Sequence, residues 1–194
     1  LAIANKGLPE YEIYGDREKT IAVTLVRSVG WLSRNTDNNN RRTFGGPTIP
    51  TPEAQCQGRI IAEYAVIPHC GDWEESQVPR IAREFICDLR AVEVKNPSNR
   101  LPSSMSFLSI EPPSIVLSTV KKAEKDDTLI IRIYNTGKKV QNATLKFYKP
   151  IRSAKTVNLK EDETADQVSI SLEGDGLKLA SIPPAKIVTL KIGL

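Results

Sequence analysis

The side chains that could do chemistry in this sequence are few, and their spacing restricts what they can do. His69 is the only histidine, with Cys70 beside it and Cys56 nearby. A zinc site needs three or four N, S or O ligands converging on one point, whereas neighbours in an extended strand point to opposite faces. No fourth ligand accompanies the pair, so His69 reads as a structural or surface residue. A Ser-His-Asp triad would have to use this one histidine as its base, and no GxSxG elbow is present. Glycoside hydrolysis needs two carboxylates flanking the scissile bond, about 5 to 5.5 Å apart for retention. Glu10, Glu12, Glu53 and Glu111 are available, but no spacing singles out a pair, and each reads equally as a solvated carboxylate. The sequence therefore assigns no catalytic residue and no metal ligand. Arg34, Arg41 and Arg42, close to Gly45, Gly46 and Pro47, form a basic loop. Such a loop could offer guanidinium groups to a sugar hydroxyl, a carboxylate or a neighbouring domain, or could simply be solvated. Stacking on a sugar ring calls for aromatic side chains, and only Trp31, Phe44 and Trp73 lie near loops.

Charge and composition narrow the classes further. Of 194 residues, 40% are hydrophobic and 26% charged, which suits a globular chain with a core. The net charge of +4 is too small to suggest a nucleic-acid partner. Ten of the 13 cations in residues 1–100 are Arg, whereas 12 of the 14 in residues 101–194 are Lys. Arginine's planar fork suits interfacial pairing and lysine suits open water, so the first half is expected to face a partner surface or a site. The alternative is a compositional bias without function. Three cysteines without a CxxC pair point away from a disulfide framework and toward a reducing, cytoplasmic setting. No apolar run approaches the ~20 residues that cross a bilayer, so no membrane partner is expected. With Leu1 first and Met105 the only methionine, the chain reads as a piece of a longer protein.

These residues must be positioned mainly by strands. Apolar or alternating runs predict strands over Thr20 to Arg27, Ile60 to Ile67, Ile115 to Val120, Leu129 to Tyr134, Ala143 to Tyr148, Val168 to Leu172 and Ile187 to Ile192. One amphipathic helix is predicted from Trp73 to Cys87, with Asp72 as its cap and Val78, Ile81, Ala82, Phe85 and Ile86 on its apolar face. The expected fold is mainly β, an antiparallel β-sandwich with that one helix. Asn96 to Ser104 reads as a linker, dividing a first β-rich subdomain at 1–103 from a smaller sandwich subdomain at 104–194. The 18-residue loop Asn35 to Pro52 is nearly without apolar content, so contacts from outside the segment would be needed to order it.

The chain carries, in order, NKGLPEYEI (Asn5 to Ile13), TLVRSVGWLSR (Thr24 to Arg34), GPTIPTPEAQCQG (Gly46 to Gly58), EYAVIPHCGDW (Glu63 to Trp73) and SFLSIEP (Ser106 to Pro112), followed by IRIYN (Ile131 to Asn135) and PAKIVTLKI (Pro184 to Ile192). In that order these strings resemble the C-terminal region of glycoside hydrolase family 38 α-mannosidases of the bacterial and archaeal type. The resemblance implies a parent enzyme that cleaves α-mannosides with retention through an aspartate nucleophile and a divalent metal, usually zinc, held by His and Asp. Those groups would belong to an N-terminal catalytic domain preceding Leu1, which would be this chain's partner and the route to its mannoside substrate. His69 matches none of the metal-binding motif, so the chain alone is expected to be inactive. The resemblance also implies that an arginine from this region nears the sugar cleft. Arg27, Arg34, Arg41 and Arg42 fall in the right stretch, and the match does not choose among them. Two other readings stay open: an autonomous carbohydrate-binding sandwich and a non-enzymatic interaction module.

Overall fold

The computed structural model describes residues 1–15, 17–31, 49–93, 102–164 and 168–194. The linker read at Asn96 to Ser104 lies largely outside them, as does most of the loop from Asn35 to Pro52. The chain forms two compact units, one of Leu1–Ile3 with Val66–Leu194 and the other of Ala4–Ala65. In chain order the strands are β1 (Ala2–Asn5), β2 (Tyr11–Tyr14), β3 (Thr20–Val23) and β4 (Tyr64–Ile67), then helix α1 (Val78–Ile86). After it come β5 (Leu108–Glu111), β6 (Ile115–Lys122), β7 (Leu129–Asn135), β8 (Gln141–Phe147), β9 (Ser153–Thr156), β10 (Ser169–Glu173), β11 (Gly176–Ile182) and β12 (Ile187–Gly193).

The larger unit contains an antiparallel β-sandwich, the fold class expected from the sequence. One sheet has the order β10-β11-β8-β5 and the other β6-β7-β12-β9, with every pairing antiparallel. Side chains on a strand alternate between faces, so every second residue must be apolar if two sheets are to pack. Ala143, Leu145 and Phe147 of β8 do this, as do Ile131 and Ile133 of β7 and Val188, Leu190 and Ile192 of β12. Leu145, Ile133 and all three β12 residues are completely buried or nearly so. Each such side chain contributes about 1.5–3 kcal/mol by leaving water. A second, smaller cluster of Ala123, Ile130 and Val157 accompanies it.

Strand β11, absent from the sequence expectation, is as deeply buried as any. Leu177 and Leu179 alternate correctly, but the register then slips by one residue before Ile182. Ser181 takes a positive φ of 62° there, and its N–H is accepted by the Asn142 side chain at 3.0 Å. That β-bulge breaks the period of two on which strand reading depends. At the other extreme, β10 keeps the expected alternation but lies at a sheet edge, so burial fades from Val168 to the half-exposed Leu172.

The helix carries every residue of the predicted apolar face but is shorter than the predicted range Trp73 to Cys87. Asp72 does cap, its Oδ1 accepting the N–H of Glu74 and of Glu75 at 2.9 Å, but the turn it starts stops at Gln77. Gln77 is left-handed, with φ of 51°. Val78 N–H reaches back to Trp73 O and Gln77 N–H to Glu74 O, both at 3.0 Å, the pairing of a Schellman stop. A second start follows at once with Pro79 in the first turn, where a missing N–H costs nothing. Helix α1 is then held on the sandwich by Arg83. A bulge at Ser118, between paired Leu117 and Thr119, takes the Ser118 carbonyl out of the β6 ladder, and the Arg83 guanidinium donates to it at 2.9 Å.

Among the described residues the most deeply buried polar side chain is that of Asn135, with Thr156 and Thr189 less so. Asn135 is wholly buried at the end of β7, and its Nδ2 donates to the carbonyls of Lys139, Ile182 and Pro183 at 2.8–3.1 Å. Its Oδ1 accepts Gly137 N–H at 2.8 Å. The same amide thus ties the β7–β8 connection to the β11–β12 connection. Replacing it leaves several buried partners unsatisfied, at about 1–3 kcal/mol each before relaxation. Asn135→Ala is expected to lower unfolding stability by roughly 2–3 kcal/mol in urea titration; a loss below about 0.5 kcal/mol, the range of a surface change, would show that the amide is not the tie described.

Candidate functional site

The arginines singled out by sequence divide sharply. Arg34, Arg41 and Arg42 lie outside the described residues. Arg27 is described, in the unit Ala4–Ala65, with its side chain 64% exposed and Nη1 3.5 Å from Glu10 Oε1. Its backbone is braced from behind by the Pro52–Gln55 turn. Ser28 Oγ donates to Gln55 O at 2.8 Å, Val29 N–H to Ala54 O at 3.0 Å and Thr51 N–H to Gly30 O at 2.8 Å. Trp31 closes the brace by bridging to Pro50. The outcome is a fixed main chain presenting a free-swinging guanidinium, whose one ion pair is open to water and contributes ~0–1 kcal/mol. A competing carboxylate could displace Glu10 at small cost.

His69 and the cysteines form no counterpart to a metal centre. Cys56, Cys70 and Cys87 are all free and exposed. Among the described residues, no three or more His, Cys, Asp or Glu side chains gather where a metal could be held. A catalytic zinc therefore does not fit the residues described here, and no chemistry in this chain is routed through one. Nor is any described helix long and apolar enough to cross a membrane.

What the strings GDW and NTGK do build is a junction within the larger unit. The turn starting at Asp72 meets the connection after β7, where Lys138 Nζ lies 2.5 Å from Asp72 Oδ2 and 5.2 Å from the centre of the Trp73 ring. Lys138 N–H donates to Glu74 Oε1 at 3.2 Å. The approach is close: a Cβ on Gly137 would stand 2.7 Å from Glu74 Oε1, so any larger residue there would push the Glu74 carboxylate aside. Next to this junction a cleft of about 380 Å³ separates Arg80, Arg83 and Glu84 of α1 from Ser109 of β5 and Ile115 of β6. Arg80 and Glu84 pair with each other at 3.1 Å, and Arg83 is committed to Ser118, so the cleft's charges are largely answered from within.

The junction carries a pH signature. The Lys138 ammonium, followed by the backbone N–H groups of the Asp72 turn, holds the Asp72 carboxyl down at about 2, against an ordinary 3.8. A depressed carboxylate adds stability above its unfolded value and loses it as pH falls through the folded one. Asp72→Asn keeps an acceptor for the turn but loses the charge. The melting-temperature gap between wild type and this variant is expected near pH 6 and should close as pH falls from about 3.8 toward about 2. A gap unchanged across that window would remove the ion pair from the account.

Comparison with known proteins fits this geometry. Residues 114–190 match the family model described as the glycosyl hydrolases family 38 C-terminal beta sandwich domain. A putative mannosylglycerate hydrolase of Halalkalibacterium halodurans is 33% identical over 135 residues, covering 70% of this chain and 14% of its own length. Alpha-mannosidase 2C1 of Mus musculus is 30% identical over 142 residues, covering 71% of this chain and 13% of its own. A crystal structure of a glycosyl hydrolase family 38 protein from Enterococcus faecalis superposes on 98% of this chain with a TM-score of 0.72 and 26% identity, while the match takes up 20% of that protein. The chain thus spans about a seventh of the curated relatives it matches. On the matched residues and the shared fold together, it belongs to glycoside hydrolase family 38, as a β-sandwich portion of that family's C-terminal region.

Proposed function

We propose that this chain is a non-catalytic accessory segment of an α-mannosidase-type glycoside hydrolase, whose task is to support an N-terminal catalytic domain and line part of its sugar cleft. The observation that carries the reading is the match over 98% of this chain to one fifth of a family 38 protein. On this reading the nucleophile and a zinc or other divalent ion belong to the catalytic domain, and this chain contributes no cofactor site. A mannosyl group is common to the names of the relatives, so a mannoside is the substrate class. Arg27, Arg34, Arg41 and Arg42 are the candidates for the cleft wall.

The chemistry of those candidates suggests what they would do there. A guanidinium donates two parallel hydrogen bonds to a carboxylate or to paired hydroxyls, and it stays charged at any working pH. One relative is named a putative mannosylglycerate hydrolase, and glycerate joined to mannose through a hydroxyl keeps a free carboxylate, which is such a partner. Arg27 supports the reading in kind, being fixed at its main chain and lightly held at its head group.

The test has two arms. The chain alone is expected to leave an aryl α-mannoside uncleaved, with or without zinc; metal-dependent turnover that survives repurification would overturn the accessory reading. In the intact enzyme the four arginines are replaced singly by alanine. The one that meets the substrate is expected to raise KM by roughly 10–100-fold with little change in melting temperature, as loss of a charged hydrogen bond would. Unaltered kinetics in all four variants would remove these arginines from the cleft.

A further inference from the structure

We infer that one face of the β2–β3 hairpin is the surface on which the catalytic portion of the same polypeptide packs; the inference rests on the accessory reading above. The hairpin register pairs Tyr11 with Val23 and Ile13 with Ile21, which puts four apolar side chains on one face. The intervening pairs, Glu12 with Ala22 and Tyr14 with Thr20, make the other face mixed. On the apolar face Tyr11 is 74% exposed and Ile13 57% exposed, and the nearby Leu25 and Val26 are half-exposed as well. A two-stranded hairpin is marginal in water by itself, and a contiguous apolar face of this kind marks an interaction surface. Among the described residues of Ala4–Ala65 only Ala4 is buried, so none of those residues closes a core over the face.

The occupant follows from charge and length. No charged residue belongs to the apolar face, and the ion pair of Glu10 and Arg27 near it is self-neutralising. A transient soluble partner relies on complementary charge to be steered in, whereas a covalently tethered one is held at high effective concentration and needs only apolar fit. The Enterococcus faecalis protein contains this fold within a chain of which it is one fifth, so the other four fifths of such a polypeptide are tethered to the hairpin.

Hydroxyl-radical footprinting of the full-length polypeptide and of this chain tests the surface, with Tyr148 of the sandwich as reference. Modification of Tyr11 and Ile13 is expected to fall severalfold in the full-length protein relative to this chain. Ile13→Asp in the full-length protein should restore modification of Tyr11, while Glu12→Lys on the other face should not. Equal modification of Tyr11 and Ile13 in both proteins would overturn the surface, and so would protection in this chain that grows with its concentration, which would assign the face to a second copy. The accessory reading fails separately, if deleting this segment leaves mannosidase turnover intact.

Discussion

The sandwich depends on its two four-stranded sheets keeping their facing rows dry. Leu145 and Ala143 from one sheet and Ile133, Val188, Leu190 and Ile192 from the other are removed from water together, and no residue among them carries a group that water could claim. The constraint explains why the exceptions are so well satisfied. Asn135 reaches the interior only because the β7–β8 and β11–β12 connections offer it three carbonyls and an N–H. Where the ladders slip, a side chain answers the freed backbone group: Asn142 for Ser181 N–H and Arg83 for Ser118 O. The second of these is also what seats helix α1, so a defect in one edge strand becomes an attachment point.

The unit Ala4–Ala65 is built on a different principle. Among its described residues, order comes from backbone pairing and turns, as in the brace of Pro52–Gln55 behind Arg27, Ser28 and Val29, rather than from a core. Such a unit contributes little cooperative stability, since exposed hydrogen bonds and ion pairs exchange readily with water. Sequence and fold nonetheless place it inside the family match, which extends well beyond the sandwich of residues 114–190. A segment kept in the family without a core of its own is suited to being one half of an interface.

The sequence was most informative where period and burial coincide. The alternation in β8 and the apolar run of β7 were read correctly because nothing interrupts them. Strand β11 escaped because the bulge at Ser181 shifts Ile182 out of phase with Leu177 and Leu179, and β9 because Ser153–Thr156 is short and bears only Ala154 as an apolar residue. The helix was overextended for a local reason: Asp72 is a true cap, but of a separate turn, and a left-handed Gln77 gives no warning in a residue type that seldom adopts that conformation. For the candidate site, the strings GDW and IRIYN could be picked out as motifs, but their meaning lies in contacts 64 and 47 residues apart, Glu74 to Lys138 and Asn135 to Ile182. Of the arginines, only Arg27 has a described setting.

Stability resides in the sandwich, which holds the buried core, and not in the hairpin unit, where among the described residues only Ala4 is buried. Native-state hydrogen exchange on this chain measures both at once. The amides of β7, β8, β11 and β12 are expected to exchange only on global unfolding, and those of Tyr11–Tyr14 and Thr20–Val23 to exchange orders of magnitude faster, insensitive to sandwich mutations. Hairpin amides protected to the same free energy as β7 and β12, and falling with them in Asn135→Ala, would show that the hairpin shares the sandwich's core and would contradict the account.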